Sequence, residues 1–237
     1  MEIPYTHGGD IYSRPIKMDY SANINPLGLP EGVKRELLCC VEENVCCIYP
    51  DSACRSLKMA LSEIHHVPKE WISCGNGAAD LIFALVAALR PRHALLLAPS
   101  FLEYSQALHL WGCETDSFML REDEDFSLDP FRLKEALFRA RAEKQPYDIL
   151  FLCNPNNPTG IAVKKEQVLK LAETCERTNT FLVVDECFGE FLDEPEAYSV
   201  IPFLEKLPHV FVLKAFTKIY AMAGMRLGYA LCSSGEV

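Results

Sequence analysis

From residue 71 to residue 232 the sequence alternates between short apolar runs and longer amphipathic stretches. The short runs have the length of buried strands, and the longer stretches carry apolar residues at helical spacing. Strands that alternate with helices in this order form a mostly parallel sheet with helices on both faces. We therefore predict a three-layer α/β fold with strands at residues 71–74, 94–98, 115–120, 149–153, 181–184, 209–213 and 227–232.

Helical spacing predicts six helices, at residues 31–48, 57–64, 78–89, 102–111, 130–142 and 165–177. Asp129 is the predicted N-cap of the fifth helix, with Pro130 in its first turn, and Asp51 or Ser52 is expected to cap the second. Residues 1–30 are dense in Gly, Pro and Asn and lack a sustained apolar period. They are predicted to form an extended N-terminal arm, with one large domain at residues 31–237.

Composition excludes several classes of protein. A chain of 237 residues that is 49% hydrophobic can bury one large core. Its net charge of -10, without a cluster of lysine and arginine, argues against a nucleic-acid partner. The longest apolar run, residues 81–89, is shorter than the roughly 20 residues that span a bilayer, and no signal-peptide pattern opens the sequence. We expect a cytoplasmic protein without a membrane partner.

Eleven cysteines are many for this length, but the sequence contains no C-x-x-C pair. Most of them, apart from two doublets at residues 39–40 and 46–47, fall inside apolar strands or helices. This pattern favours small packed thiols in a reducing compartment and no metal site.

Polar and small residues follow several predicted strands, where parallel sheets bind ligands. Gly77, Ala78 and Ala79 open an apolar helix directly after the first strand, an arrangement that suits a phosphate group but also an ordinary glycine turn. Phe101 follows the second strand and is placed either to stack on a flat heterocycle or to join the core.

Two further loops are more specific. Residues 154–160 read NPNNPTG, in which two prolines and a glycine restrict the backbone so that asparagine side chains project from a rigid loop. Asp185 ends a buried strand, where a carboxylate is costly without a cationic partner such as a protonated ring nitrogen.

Lys218 lies on the connection between the last two predicted strands, ahead of a Gly-rich turn that contains Arg226. If it is partly desolvated there, its pKa falls and its neutral amine can attack a carbonyl carbon; the alternative is a solvated surface lysine. A phosphate cradle, a ring-stacking aromatic, a buried acid and such an amine together describe a site for pyridoxal 5'-phosphate.

The order and spacing of these motifs resemble the fold-type I aminotransferases over residues 6–232. Four details resemble one branch in particular, the L-threonine-O-3-phosphate decarboxylases of cobalamin synthesis, which are close to the histidinol-phosphate aminotransferases. They are HGG at residues 7–9, SANINPLG at 21–28, DECF at 185–188 and FTKIYA at 216–221.

The resemblance implies a role for each matching position. Lys218 would hold the cofactor covalently and move protons, and Asp185 would pair with its ring nitrogen. Other implied cofactor contacts are Gly77, Ala78, Ala79, Phe101, Asn157, Thr217 and Arg226, with Tyr49 reaching the neighbouring subunit of a homodimer. His7 and Asn23 would contact the substrate, a phosphorylated amino acid.

The implied reaction is decarboxylation of L-threonine O-3-phosphate to (R)-1-aminopropan-2-yl phosphate. Two alternatives remain open: an aminotransferase, for example on histidinol phosphate, and a catalytically incomplete fragment that binds the cofactor. The family has a further small α/β domain whose arginine clamps the substrate carboxylate, and most of that domain is expected to be missing from these 237 residues. Ala215 stands where the family commonly has serine or threonine, so one hydroxyl at the phosphate would be absent.

Overall fold

A seven-stranded sheet lies at the centre of the computed structural model, which describes residues 8–13 and 15–235. In chain order its strands are β1 (Ile72–Gly75), β2 (His93–Ala98), β3 (Glu114–Met119), β4 (Ile149–Cys153), β5 (Phe181–Asp185), β6 (Val210–Ala215) and β7 (Gly228–Leu231). Across the sheet they follow the order β1-β7-β6-β5-β4-β2-β3. Only β7 runs antiparallel to its neighbours, so the predicted mostly parallel sheet is confirmed.

Six α-helices accompany this sheet in the described residues: α1 (Glu31–Glu42), α2 (Arg55–His65), α3 (Ala78–Leu89), α4 (Leu102–Leu110), α5 (Pro130–Ala142) and α6 (Lys165–Thr178). Helices α2 to α6 pack on its two faces through buried side chains, whereas α1 has no buried residue. Successive strand residues face opposite sides, so Leu150 packs in one apolar cluster with α5 and α6, while Phe151 packs in another with α3 and α4. This confirms the three-layer arrangement.

The start of α5 illustrates how local sequence sets an element boundary. The Asp129 carboxylate accepts hydrogen bonds from the backbone N–H groups of Phe131 (2.9 Å) and Arg132 (3.2 Å). Pro130 occupies the first turn, where a missing N–H costs nothing. The predicted cap and both predicted ends of this helix are confirmed.

The predicted helix over residues 31–48 is too long. α1 ends at Glu42, and Asn44 adopts a left-handed conformation with φ 59°. Asparagine tolerates this conformation and commonly ends helices, so Val45–Cys47 form only a short 3-10 turn. The apolar spacing that suggested a longer helix continues beyond Glu42, but α1 has no buried residue. No contact with the core therefore stabilises a helical conformation beyond Glu42.

The start of the second helix also differs from the prediction. α2 begins at Arg55, and its N-cap position is Cys54 in a left-handed conformation, rather than Asp51 or Ser52. The Asp51 carboxylate still accepts the Arg55 N–H at 2.8 Å, because it closes the turn that leads into the helix. The physical role of the acid was therefore predicted, but its position in the helix was not.

The described part of the N-terminal arm contains turns and folds back on itself. The Gly9 N–H donates to Ser21 Oγ at 2.8 Å. A Cβ on Gly8 would lie 1.8 Å from the carbonyl oxygen of Ser21, so the two segments approach as closely as only glycine allows. From there the arm reaches the connection after β6, where Asn25 donates to the Lys218 carbonyl.

The eleven cysteines are all free and differ in exposure, with three of them, Cys40, Cys54 and Cys74, partly buried. Cys113, Cys153, Cys175, Cys187 and Cys232 are buried, as predicted for packed thiols, whereas Cys39, Cys46 and Cys47 are exposed. The exposed group lies in or after α1, which has no buried face. In residues 8–13 and 15–235, no cluster of three or more metal-binding side chains is present, and no helix is long and apolar enough to cross a membrane.

Candidate active site

A cavity of about 230 Å³ opens at the carboxyl ends of β4, β5 and β6, beside the start of α3. Parallel strands bring their carboxyl ends to one edge of the sheet, so polar residues far apart in sequence meet there. Eight of the predicted site residues line this cavity: Ala78, Ala79, Phe101, Asn157, Asp185, Thr217, Lys218 and Arg226.

One end of the cavity suits an anion. Gly77 has φ 90° and precedes α3, so the first N–H groups of the helix are not used within it. A Cβ on Gly77 would lie 2.9 Å from a guanidinium nitrogen of Arg226, and one on Gly228 would lie 2.7 Å from the backbone nitrogen of Ala78. Two glycines therefore let a helix N-terminus and a guanidinium group approach each other, an arrangement that binds phosphate.

Asp185 also lines the cavity and is only 6% exposed. Its carboxylate accepts hydrogen bonds from the Tyr104 hydroxyl (2.6 Å) and from the Cys187 N–H (3.0 Å). Burial, with the nearby Asp185 charge adding to it, raises the pKa of Tyr104 well above its ordinary value. The phenol therefore stays protonated and holds the carboxylate in place.

Lys218 is half-buried on the turn after β6, as predicted for a connection. Burial lowers the pKa of its amine, and the charge of Arg226 adds to this effect, while Cys187 and Asp185 oppose it. Its Nζ lies 5.6 Å from the centre of the Phe188 ring. A lysine with a lowered pKa has a larger neutral fraction and is a better nucleophile than a solvated one.

Two of the three asparagines in the NPNNPTG loop form hydrogen bonds that hold the loop, and the third lines the cavity. The Asn154 side chain bonds both the N–H and the carbonyl of Val163, at 2.7 and 2.9 Å. The Asn156 amide donates to the carbonyl of Pro99 and to the hydroxyl of Thr159. With its two neighbours holding the loop, Asn157 is the asparagine that lines the cavity.

Phe101 lies between the cavity and the core. Its ring meets Tyr104 edge to face, with centroids 5.5 Å apart, and Tyr104 stacks on Phe151 at 4.7 Å. Phe101 therefore packs against the core and also lines the cavity, and its stacking on a flat heterocycle stays a prediction.

The remaining predicted residues are placed differently. Gly77 does not itself line the cavity, but it directly precedes Ala78, which does. Asn23 lines a second, adjoining cavity of about 240 Å³, which shares Phe101, Asn157 and Lys218 with the first. Tyr49 is 97% exposed and lines neither of the two cavities. His7 lies outside the described residues.

Sequence reasoning missed several residues that line the first cavity, chiefly Ala22, Ile24, Glu103, Cys153, Cys187 and Ala223. Burial raises the pKa of Cys153 to about 12 and also raises the pKa of Cys187, so both thiols are protonated at neutral pH and act as packing groups. Tyr104 was missed as well, since a tyrosine on the apolar face of a helix has the same pattern as a core residue.

Comparison with known proteins agrees with this architecture. The sequence model of the family described as aminotransferase class I and II matches residues 15–237. The threonine-phosphate decarboxylase of Salmonella typhimurium is 40% identical over 96% of this chain and 62% of its own length. A protein of Caldanaerobacter subterraneus named as a possible threonine-phosphate decarboxylase is 38% identical over 97% of this chain and 60% of its own.

A solved structure extends the likeness to three dimensions. The histidinol-phosphate aminotransferase of Clostridium acetobutylicum superposes with a TM-score of 0.76 at 27% identity, covering 92% of this chain and 61% of that one. The fold predicted from the resemblance is thereby confirmed. The chain spans about three fifths of the length of the relatives it matches.

Proposed function

Because the chain belongs to the aminotransferase class I and II family, we propose that its cavity binds pyridoxal 5'-phosphate and serves the decarboxylation of L-threonine O-3-phosphate. The product would be (R)-1-aminopropan-2-yl phosphate, a precursor in cobalamin synthesis. The observation that carries the proposal is that buried Asp185 and Lys218, whose pKa is lowered, line one cavity with an anion-binding end. The choice of substrate is supported by the 40% identical relative named threonine-phosphate decarboxylase.

The residues present fit the groups of this cofactor. Its phosphate would bind the N–H groups of Ala78 and Ala79, the buried Thr217 hydroxyl and the Arg226 guanidinium, the end of the cavity where glycines permit close approach. When bound, the cofactor supplies an aldehyde and an electron-accepting ring that weakens one bond at the α-carbon of an amino acid.

The opposite end would hold the ring. Asp185 would keep a proton on the ring nitrogen, Asn157 would donate to the phenolic oxygen and Phe101 would cover one face. Asp185 is suited to this because the Tyr104 and Cys187 hydrogen bonds hold it as an oriented carboxylate. Lys218 would hold the cofactor through its amine and then carry protons at Nζ during the reaction.

The residues that grip the substrate decide whether its carboxylate or a proton is lost, because only a bond perpendicular to the ring plane is weakened. In the described chain, the adjoining cavity that contains Asn23 is the place for these contacts. Ser100 Oγ and Gln106 Oε1 line it as buried atoms without a hydrogen-bond partner among the described residues. We propose that they, Asn23 and His7 bind polar groups of the substrate.

A second candidate function is amino transfer, which the similarity to the Clostridium acetobutylicum histidinol-phosphate aminotransferase favours. The proposed cofactor contacts serve either reaction. A third candidate is a chain that binds the cofactor without completing either reaction.

Cofactor binding is tested before turnover. The chain is mixed with pyridoxal 5'-phosphate, treated with borohydride and analysed by peptide mass spectrometry. We expect the reduced cofactor on Lys218, loss of that label and of the yellow colour in Lys218→Ala, and no loss in Lys134→Ala, a control at an exposed lysine. A colourless wild-type protein, or labels spread over surface lysines, would reject the site.

Turnover then separates the three candidates. With L-threonine O-3-phosphate, release of carbon dioxide and aminopropanol phosphate supports decarboxylation. Amino transfer that depends on oxoglutarate and releases no gas selects the aminotransferase. A chain that carries the cofactor on Lys218 but does neither is the incomplete form.

We also propose a homodimer in which Tyr49 completes the site of the neighbouring subunit. Its 97% exposure leaves the side chain available for such a contact. Co-expression of a Tyr49→Ala chain with a Lys218→Ala chain tests this, because a mixed dimer would contain one intact site. Activity of the mixture above that of either variant alone supports the shared site, and a monomer in sedimentation at all concentrations rejects it.

A further inference from the structure

Asn25 connects the N-terminal arm to the turn that carries Lys218, across 194 positions in the sequence. Its side-chain amide donates to the carbonyl oxygen of Ile219 at 2.7 Å. Its backbone N–H donates to the carbonyl oxygen of Lys218 at 3.1 Å. One residue of the arm thus bonds two successive carbonyl groups of the lysine turn.

Asn25 is itself held in a fixed orientation. Its side-chain oxygen accepts the Leu27 N–H at 3.0 Å, and its carbonyl accepts the Gly28 N–H at 3.1 Å. These bonds form a tight turn in which Gly28 has φ 77°. Because the oxygen of the amide is engaged within this turn, its nitrogen is directed toward Ile219.

The lysine turn has weaker hydrogen bonds of its own. The Tyr220 N–H reaches the Phe216 carbonyl at 3.3 Å, and the Ala221 N–H reaches the Lys218 carbonyl at 3.2 Å. Ala221 also adopts a left-handed conformation with φ 51°, which is unfavourable for a residue with a Cβ. The contacts from Asn25 are shorter than either internal bond, so they add substantially to the order of this turn.

The same segment of the arm covers the cavity. Ala22 and Ile24 line the cavity that contains Asp185, and Asn23 lines the adjoining one. Docking of the arm through Asn25 therefore brings residues 22–24 to the walls of both cavities and restrains the backbone of Lys218 in one step.

We propose that Asn25 is a positioning residue that couples closure of the arm to the placement of the Lys218 amine. Only the chemical use of that amine rests on the proposed function; the coupling itself is a property of the folded chain. Undocking of the arm is expected to release the turn and to admit water to the cavity. Since burial is the main cause of the lowered Lys218 pKa, that pKa would then rise toward its ordinary value.

The first test uses Asn25→Asp in the protein without cofactor. This change keeps the oxygen that accepts from Leu27 but replaces the donor to Ile219 with an oxygen that the carbonyl repels. Asn44→Asp is the matched control, because it makes the same change in charge at an exposed asparagine whose amide donates to the Glu42 carbonyl at 3.4 Å.

Hydrogen exchange of peptides covering residues 216–222 measures the order of the turn. Loss of this hydrogen bond, with the added repulsion, predicts exchange about tenfold faster in Asn25→Asp and unchanged exchange in Asn44→Asp. The pH dependence of reductive methylation at Lys218 is expected to shift upward in the first variant alone.

Two further variants separate positioning from general destabilisation. Asn25→Ala removes the donor without adding charge and is expected to show the same two effects, whereas Asn25→Gln keeps a donor and is expected to restore part of the protection. The proposal is overturned if residues 216–222 of Asn25→Asp exchange at the wild-type rate and the pH dependence of reductive methylation at Lys218 does not shift. This holds even if the melting temperature of the variant falls. Failure of wild-type protein to bind the cofactor would reject the proposed function and leave these measurements valid.

Discussion

At the scale of single residues, a buried ionic cluster lies beside the site. Lys214 pairs with the carboxylate of Glu190 and lies 3.8 Å from Glu186, whose other oxygen accepts the Val200 N–H. Burial alone would lower the pKa of Lys214, but the two carboxylates outweigh it and raise this pKa. Burial raises the pKa of Glu186, although Lys214 opposes that shift.

Lys214→Met is expected to destabilise the protein by about 3–5 kcal/mol, because it leaves the buried Glu186 charge without its cation. Equilibrium unfolding in urea measures the loss. Lys134→Met, at an exposed lysine, is the control and is expected to change stability by less than about 0.5 kcal/mol. Equal effects of the two substitutions would contradict a structural role for the cluster.

The same variant has a defined pH dependence. In wild type, the raised Lys214 pKa contributes stability that is present below pH 10.5, its ordinary pKa, and is lost as the pH rises through the folded value. The pKa of Glu186 in the folded protein is raised above 4.5, its ordinary value, so the folded state favours the protonated, uncharged form of this side chain. The deficit of Lys214→Met should therefore shrink as the pH is lowered from 7 toward 5, and a deficit that is constant with pH would disprove this explanation.

Tyr104→Phe tests how Asp185 is held. The substitution removes a 2.6 Å hydrogen bond to a buried carboxylate and is expected to cost about 1.5–3 kcal/mol in unfolding free energy. Tyr147→Phe is the matched control, since its hydroxyl donates at 2.8 Å to Asp116, whose side chain is 57% exposed and can bind water instead. We expect a loss below about 1 kcal/mol there; similar losses at the two tyrosines would show that Asp185 gains little from its partner.

At the scale of elements, α1 differs from the helices that cover the sheet. It has no buried residue, and Leu38 and Val41 on its surface are 57% and 65% exposed. Its 12 residues therefore gain little from packing within the described chain, whereas α3 buries four apolar side chains. The spacing of apolar residues predicted a helix in both places, but it does not tell which apolar face has a partner.

The double variant Leu38→Ser/Val41→Ser is accordingly expected to change the unfolding free energy by less than about 1 kcal/mol. Leu85→Ala in α3, where the leucine is 3% exposed, should cost about 2–5 kcal/mol. Both are measured by urea unfolding at low protein concentration. A large loss from the α1 variant would mean that a second copy of the chain covers this face in solution.

At the scale of the whole molecule, the first cavity is built from segments between Gly8 and Arg226, so it exists only when the chain is folded. A ligand that binds only the folded state raises the free energy of unfolding by about 2.7 kcal/mol when its concentration is about 100 times its dissociation constant. Pyridoxal 5'-phosphate is therefore expected to raise the melting temperature, and pyridoxal, which lacks the phosphate, to raise it less. Arg226→Gln should remove most of the difference between them; equal shifts from both compounds would show that the anion-binding end is not used.

Much of the fold follows from local pattern. Each predicted strand lies within two residues of an observed one, because strands such as β4 and β6 are buried along their whole length and therefore appear in the sequence as short continuous apolar runs. The parallel order then placed Asp185, Asn157 and the lysine turn at one edge of the sheet before any contact was known. The errors fell at residues 43–54, where left-handed Asn44 and Cys54 interrupt an apolar pattern that no core contact supports.

The sequence by itself therefore determined the layers, the strand ends and the types of side chain that meet at them, since these depend on spacing between near neighbours. Only the tertiary structure decided that Tyr104 holds Asp185, that Lys214 is paired within the core and that Asn25 bonds the turn of Lys218. These contacts join residues 24 to 194 positions apart. Such pairs leave no periodic trace in sequence, because their geometry exists only once the sheet and the arm have packed.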